Sequence, residues 1–190
     1  MAISFYQQDL IAAVWSRATI DARSDADLAE HEYVLKLGQS YGNGSVKCIA
    51  LNLDIDPQLW ILMTHHENWK YCQLEARILP PLAAALGAGG TCENGTAATM
   101  VSPFELAGFL GGTLSQGGAY SPLNRLPFSF CMSAATSFVE RFASARGVER
   151  LLLVPSAWCG FFFDVAWDLT ALGISARDGT IYALCATDTD

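Results

Sequence analysis

The sequence predicts a single α+β domain over residues 1–190. Its core should be a mainly antiparallel sheet, a meander followed by a C-terminal hairpin, packed with three to four helices. Three observations carry this expectation. Three strand-sized apolar stretches separated by short links fill residues 33–63. Two S/T-x-x-E capping boxes, at Thr64–Glu67 and Ser102–Glu105, each open a helix-forming stretch. Near the C-terminus, Asp178-Gly179 separates two apolar runs and reads as a two-residue hairpin turn.

The elements follow in order. Ile3, Tyr6, Leu10 and Val14 recur at spacings of a helix face and predict an opening helix. The polar stretch DARSDADLAE reads as a break, with Ser24 and Asp27 placed to cap one short turn. Tyr33, Leu35 and Leu37 then alternate with more polar neighbours, as on a half-buried strand. YGNGS supplies a turn, Val46 to Leu53 the next strand, and DIDP a break at Pro57, which cannot donate to a ladder. Gln58 to Met63 predicts a third strand.

From Thr64, the stripe Tyr71, Leu74, Ile78 and Leu82 predicts a helix that ends or bends at Pro80-Pro81. LGAGGTCENG is a glycine-rich connection that lacks both the GxGxxG order and a GK[ST] ending. A short strand at Thr96 to Val101 precedes the second capping box, whose helix should stop at Gly111-Gly112. Met132, Ala135, Phe138, Val139 and Phe142 form the apolar face of a longer helix, with Arg141 and Arg146 suited to its C-terminal half and Gly147 as the closing residue. Arg150 to Val154 and Gly160 to Ala166 are strand candidates; residues 167–172 fit a helical turn or a strand edge equally. Ile174 to Arg177 and Thr180 to Ala186 complete the hairpin.

Composition narrows the function. The chain is 52% apolar and only 16% charged, which excludes a disordered chain and leaves little charge to cover the fold. A homodimer or an assembly partner is one way to cover the remaining apolar surface. The charges are unbalanced, net −8, so the chain repels phosphate backbones and anionic membranes and attracts basic surfaces. Nucleic-acid and membrane roles are set aside on that ground. Six scattered cysteines without a CxxC pair, behind an N-terminus that lacks a secretory leader, read as reduced thiols of a cytoplasmic protein.

Several constellations bear on chemistry. His65 and His66 sit in the first turn of a proposed helix, about 100° apart, and cannot grip one ion from one face. HExxH is absent, and no metal or cofactor is expected. Asp54 and Asp56, with Asn52, share one side of an extended segment and could receive a basic partner. Asp164 and Asp168 lie among aromatics that include Trp158 and Trp167, a set suited to anchoring a basic surface. Cys159, between Trp158 and Gly160, is the best-placed nucleophile; only His31, His65 or His66 could serve it as a base.

Two functions of different class follow. The first is a non-catalytic acidic binding protein, in its concrete form a bacterial immunity-type inhibitor that neutralises a basic toxin or nuclease. Its contacts would be Asp54, Asp56, Asp164, Asp168, Trp158 and Trp167. The alternative is a small cytosolic hydrolase or transferase that brings His65 or His66 to Cys159 or to an aspartate. A subunit of a larger assembly is a third reading, which names no chemistry.

Overall fold

The structure, a computed structural model, describes residues 15–16, 18–54, 74–88, 98–118, 126–154 and 157–188, with 74–76 described as backbone only. The expected opening helix, the strand at 58–63 and the capping box at Thr64 lie outside these residues. The described strands join one six-stranded sheet in the order β1-β2-β6-β5-β4-β3, and every neighbouring pair is antiparallel. The α+β class and the mainly antiparallel sheet are therefore as expected, with both groups of strands in one sheet.

β1 (Thr19–Ser24) lies in the stretch read as a polar break. Only Ile20 and Ala22 turn toward the core, because side chains alternate across a strand and the other face of this one is left to water. Asp25 then caps a single-turn helix, α1 (Ala26–Ala29), by accepting the Leu28 amide. α2 (Glu32–Ser40) corrects the reading of residues 33–37 as a strand. Five residues satisfy both periods, and Val34 decides between them. A strand would turn Val34 outward, whereas the helix buries Tyr33, Val34 and Leu37 together and leaves Leu35 at 52% exposure.

β2 (Ser45–Asp54) pairs with β1 on one side and β6 on the other. α3 (Leu74–Ala85) runs through Pro80-Pro81 instead of ending there. Its buried face, Ile78, Leu79, Leu82 and Ala83, outweighs the backbone bonds that the prolines cannot make. β3 (Thr99–Val101) is short and leads into α4 (Pro103–Gln116). Both halves of the predicted capping box form: Ser102 Oγ accepts the Glu105 amide at 3.2 Å, and Glu105 Oε2 accepts the Ser102 amide at 2.7 Å.

α4 passes Gly111-Gly112, where the sequence suggested a stop. A Cβ on Gly111 would lie 2.4 Å from Met132 Sδ, so this glycine lets α4 approach α5 (Phe128–Phe142) closely. Gly108 has no such neighbour within 4 Å and is exposed on the same helix. Gly108→Ala should therefore stabilise the protein by roughly 0.5–1 kcal/mol, measured as a raised urea midpoint at unchanged slope. A loss of stability would contradict this packing of α4.

α5 buries Cys131, Ala134, Ala135, Phe138, Val139 and Phe142, the expected face with the residues flanking it. A 3₁₀ turn (Ser144–Arg146) follows, closed by Gly147 in the left-handed region at φ 61°. β4 (Arg150–Val154), β5 (Leu169–Ser175) and β6 (Thr180–Thr187) complete the sheet. The β5–β6 connection spans four residues, 176–179, not two, since Ser175 pairs with Thr180. Residues 160–166 form turns instead of a strand. Their aromatics divide: Phe162 enters the core beside Trp158, while Phe163 faces solvent.

Both faces of the sheet are covered. Ile49, Leu51, Leu172, Ile174, Ile181 and Cys185 pack under α3 and Trp158. Cys48, Ala50, Leu151, Leu153, Ala171 and Leu184 pack under α1, α2, α4 and α5. β5 and β6 are consequently buried at every position, which is why they read as unbroken apolar runs and not as alternation. No helix of the described residues is long and apolar enough to cross a membrane.

Candidate partner-binding surface

The salt bridges of the described residues gather where α1, α2 and the end of α5 meet. Asp25 is held there by its cap on α1 and is 8% exposed. Arg146, carried in by the 3₁₀ turn, forks onto it with Nη1 at 2.5 Å from Oδ2 and Nη2 at 3.1 Å from Oδ1. The same guanidinium reaches Asp27 Oδ2 at 2.6 Å and lies 4.4 Å from the centroid of the Tyr182 ring. Arg141, one turn earlier on α5, also pairs with Asp27, with Nε at 2.9 Å from Oδ2. The Arg141 and Arg146 bonds hold the Asp27 carboxyl down at about 2.

Beside this chain of charges is an open hollow of about 580 Å³ between the α1–α2 corner and α5. Asp27, Glu30, His31, Ser137, Glu140 and Arg141 line it. The ion pairs of the described residues use Asp25 and Asp27, not Glu30 or Glu140. Both glutamates are exposed. Carboxylates outnumber guanidiniums in the lining, so the hollow favours a cation.

His31 sits at its wall as the N-cap of α2. Nδ1 accepts the Tyr33 amide at 3.1 Å, and the ring meets Phe138 edge-on at 5.5 Å. With Nδ1 accepting, the proton of the neutral ring is on Nε2, 3.4 Å from Ser137 Oγ. Ser137 therefore accepts from His31. A serine nucleophile requires the opposite polarity, with the imidazole taking the hydroxyl proton, so this pair is not arranged as a hydrolytic dyad. Desolvation lowers the His31 pKa; Glu32 and Asp27 oppose the shift and Arg141 assists it.

The residues expected at a partner surface are dispersed. Asp54 ends β2 and is exposed; Asp164 is exposed on a turn at φ 58°. Asn52 pairs with Thr180 and Leu169 with Ala186, so Asp54 and Asp164 leave the sheet at opposite ends. Six rises of β6, roughly 20 Å, separate the two ladder positions from which those segments leave. Asp168 is only 3% exposed, because its carboxylate accepts Thr187 Oγ1 at 2.6 Å and the Val165 amide at 2.9 Å. Trp158 is 1% exposed and donates Nε1 to Thr170 Oγ1 at 2.8 Å. Trp167 is half-buried on the other face of the sheet. Asp168 and Trp158 are thus interior groups, and the described members of the set do not form one contact face. Asp56, His65 and His66 lie outside the described residues.

Cys159 is buried in the core beneath α3. Burial also pushes the Cys48 thiol up and the Cys185 thiol to about 12, so both remain protonated at neutral pH. Among the described residues no three His, Cys, Asp or Glu side chains stand close enough to hold a metal ion.

Nothing local in the sequence points to the hollow. Asp27 and Glu30 are more than a hundred positions from Ser137, Glu140 and Arg141. The one local hint was Arg141 and Arg146 at spacing five on an amphipathic helix, and it pointed to the helix dipole, not to carboxylates elsewhere. Comparison of the chain with protein-family models, curated proteins and solved structures finds no match.

Proposed function

We propose that the chain is a non-catalytic acidic binding protein of the immunity type, which occupies the basic surface of a toxin or nuclease and blocks it. The observation that carries this reading is the hollow between α1, α2 and α5, whose Glu30 and Glu140 present carboxylates to solvent on a chain of net charge −8. Long-range attraction of that kind speeds encounter with a cationic partner, and close carboxylate contacts then fix its register. The Asp25–Arg146–Asp27–Arg141 chain is the rigid support beneath it, tying α1 to α5 so that the two walls keep their spacing.

The reading is tested with the basic product of a neighbouring gene. Association with the wild-type chain and with a Glu30→Gln/Glu140→Gln double variant is followed at low and at physiological salt. Wild type should associate fastest at low salt, and the double variant should associate roughly tenfold more slowly there. Both substitutions are at exposed positions, so the fold should be unaffected. No complex at low salt, or association indifferent to salt and to both substitutions, would remove the proposal.

A further inference from the structure

We propose that His31 is a proton-operated clasp: its neutral ring caps α2 through Nδ1, and a proton taken up from solution at that nitrogen releases the α1–α2 corner that forms one wall of the hollow. The inference concerns regulation of the surface described above, but its first test needs no partner.

The geometry makes the two states unequal. An N-cap side chain must offer an acceptor to the first amides of its helix, and here the acceptor is the Nδ1 lone pair, 3.1 Å from the Tyr33 nitrogen. Protonation replaces that lone pair with an N–H directed at another N–H. The cap is lost, and a positive charge is placed at a helix N-terminus, where it is disfavoured. The ring cannot stay where it is, yet it also fills the contact with Phe138 that joins α2 to α5. Relief comes from swinging outward into the hollow.

The groups that face His31 come from every adjoining element. They are Asp27 on α1, Glu30 in the turn after it, Glu32 on α2, and Glu140 and Arg141 on α5. Asp27 is already engaged by Arg141 and Arg146. Glu30 and Glu140 are therefore the natural acceptors for the displaced imidazolium. The swing would neutralise part of the carboxylate surface as it uncaps the helix, so uncapping and weakened attraction for a cation arise from one proton.

The sign follows from burial. Desolvation holds the folded-state pKa below the ordinary value of 6.5, so folding favours the neutral ring. The cap's contribution is complete above that ordinary value. It is lost as pH falls below it toward the folded-state value, and is then constant.

The test is an NMR titration of wild type and His31→Asn, following the imidazole Cε1–H signals and hydrogen exchange at the Tyr33 amide. Asparagine caps helices without titrating in this range. In wild type, the His31 ring should titrate with a midpoint below 6.5. Protection at Tyr33 should fall about fivefold to tenfold with the same midpoint, the scale of a lost cap. In His31→Asn, Tyr33 protection should stay level across that range. Tyr33 protection that does not follow the His31 titration, or that falls equally in His31→Asn, overturns the clasp. The wild-type titration decides the matter even should the variant fold poorly. A clasp that holds while no basic partner binds would reject the binding reading alone.

Discussion

Arg146→Met should destabilise the protein by roughly 3 kcal/mol or more, the largest effect expected of any charged residue in the described structure. The side chain of Arg146 is 15% exposed and that of Asp25 only 7%; Nη1 bonds Asp25 and Nη2 is shared between Asp25 and Asp27. Methionine preserves much of the aliphatic reach toward Tyr182 but leaves the buried Asp25 carboxylate, among the described residues, with the Leu28 amide as its remaining side-chain bond. An uncompensated buried charge is the costly product of breaking such a pair, more than the lost attraction itself. Two comparisons isolate that cause. Adding Asp25→Asn to Arg146→Met should recover part of the loss, since no lone charge then remains. Arg141→Met should cost less than about 1 kcal/mol, because its pair with Asp27 is exposed. Urea denaturation of the four proteins measures all of this. An Arg146→Met protein within about 1 kcal/mol of wild type would show that the buried pair is not the support assigned to it.

The same cluster sets a small acid dependence. Asp27 is held at about 2, chiefly by Arg141 and then by Arg146, against an ordinary value of 3.8. Its contribution is present above 3.8 and is lost as pH falls through 2. Since Asp27 is half-exposed, solvent screening keeps that contribution in the range of an ordinary surface pair.

What the sequence disclosed and what it withheld divide along physical lines. β2 and α5 were legible because each is long enough to show one pattern, and β4 because an unbroken apolar run of strand length fits a buried strand. The capping box at Ser102 was legible because its partners are three positions apart, and local chemistry suffices to form it. α2 was misread because Tyr33 to Leu37 is too short a window to separate a period of two from one of 3.6. The capping atom that favours the helix, His31 Nδ1, belongs to a residue seldom read as a cap. Residues 160–166 were misread for a different reason. FFFDV has strand propensity, but the turns here are fixed by the Asp168 carboxylate on the Val165 amide and by Phe162 filling the core beside Trp158.

The candidate surface was not legible at all. Sequence neighbours single out Asp164 and Asp168, which lie among aromatics. Exposure decides whether a charge meets a partner, and it depends on the packing of segments that are distant in sequence. Asp168 proved interior and Asp54 proved to be at the far end of the sheet from Asp164, while Glu30 and Glu140 were brought together across more than a hundred residues.

Gly44→Ala should destabilise the protein by roughly 2–3 kcal/mol, although Gly42→Ala, two positions away in the same turn, should change stability by less than about 0.5 kcal/mol. In YGNGS the usual reason for a glycine after asparagine is a positive φ, and Gly44 is not among the positive-φ glycines of the described residues. Its constraint is distance. A Cβ there would lie 2.0 Å from the Thr187 carbonyl oxygen and 2.7 Å from Asp188 Cα. Both are backbone, so no side-chain rotation relieves the contact. The affected residues open the β2–β6 ladder at Ser45↔Thr187, in the centre of the sheet, and Asp188 is fully buried behind them. Moving the strand end aside would also strain the Gly44 amide bond to the Tyr41 carbonyl that closes α2 onto β2. A Cβ on Gly42 meets nothing within 4 Å. Urea midpoints of the two variants, with hydrogen exchange along β6, separate the explanations: a turn limited by backbone angles would penalise both substitutions alike, whereas a close approach penalises Gly44→Ala alone and loosens β6 first at its Thr187 end.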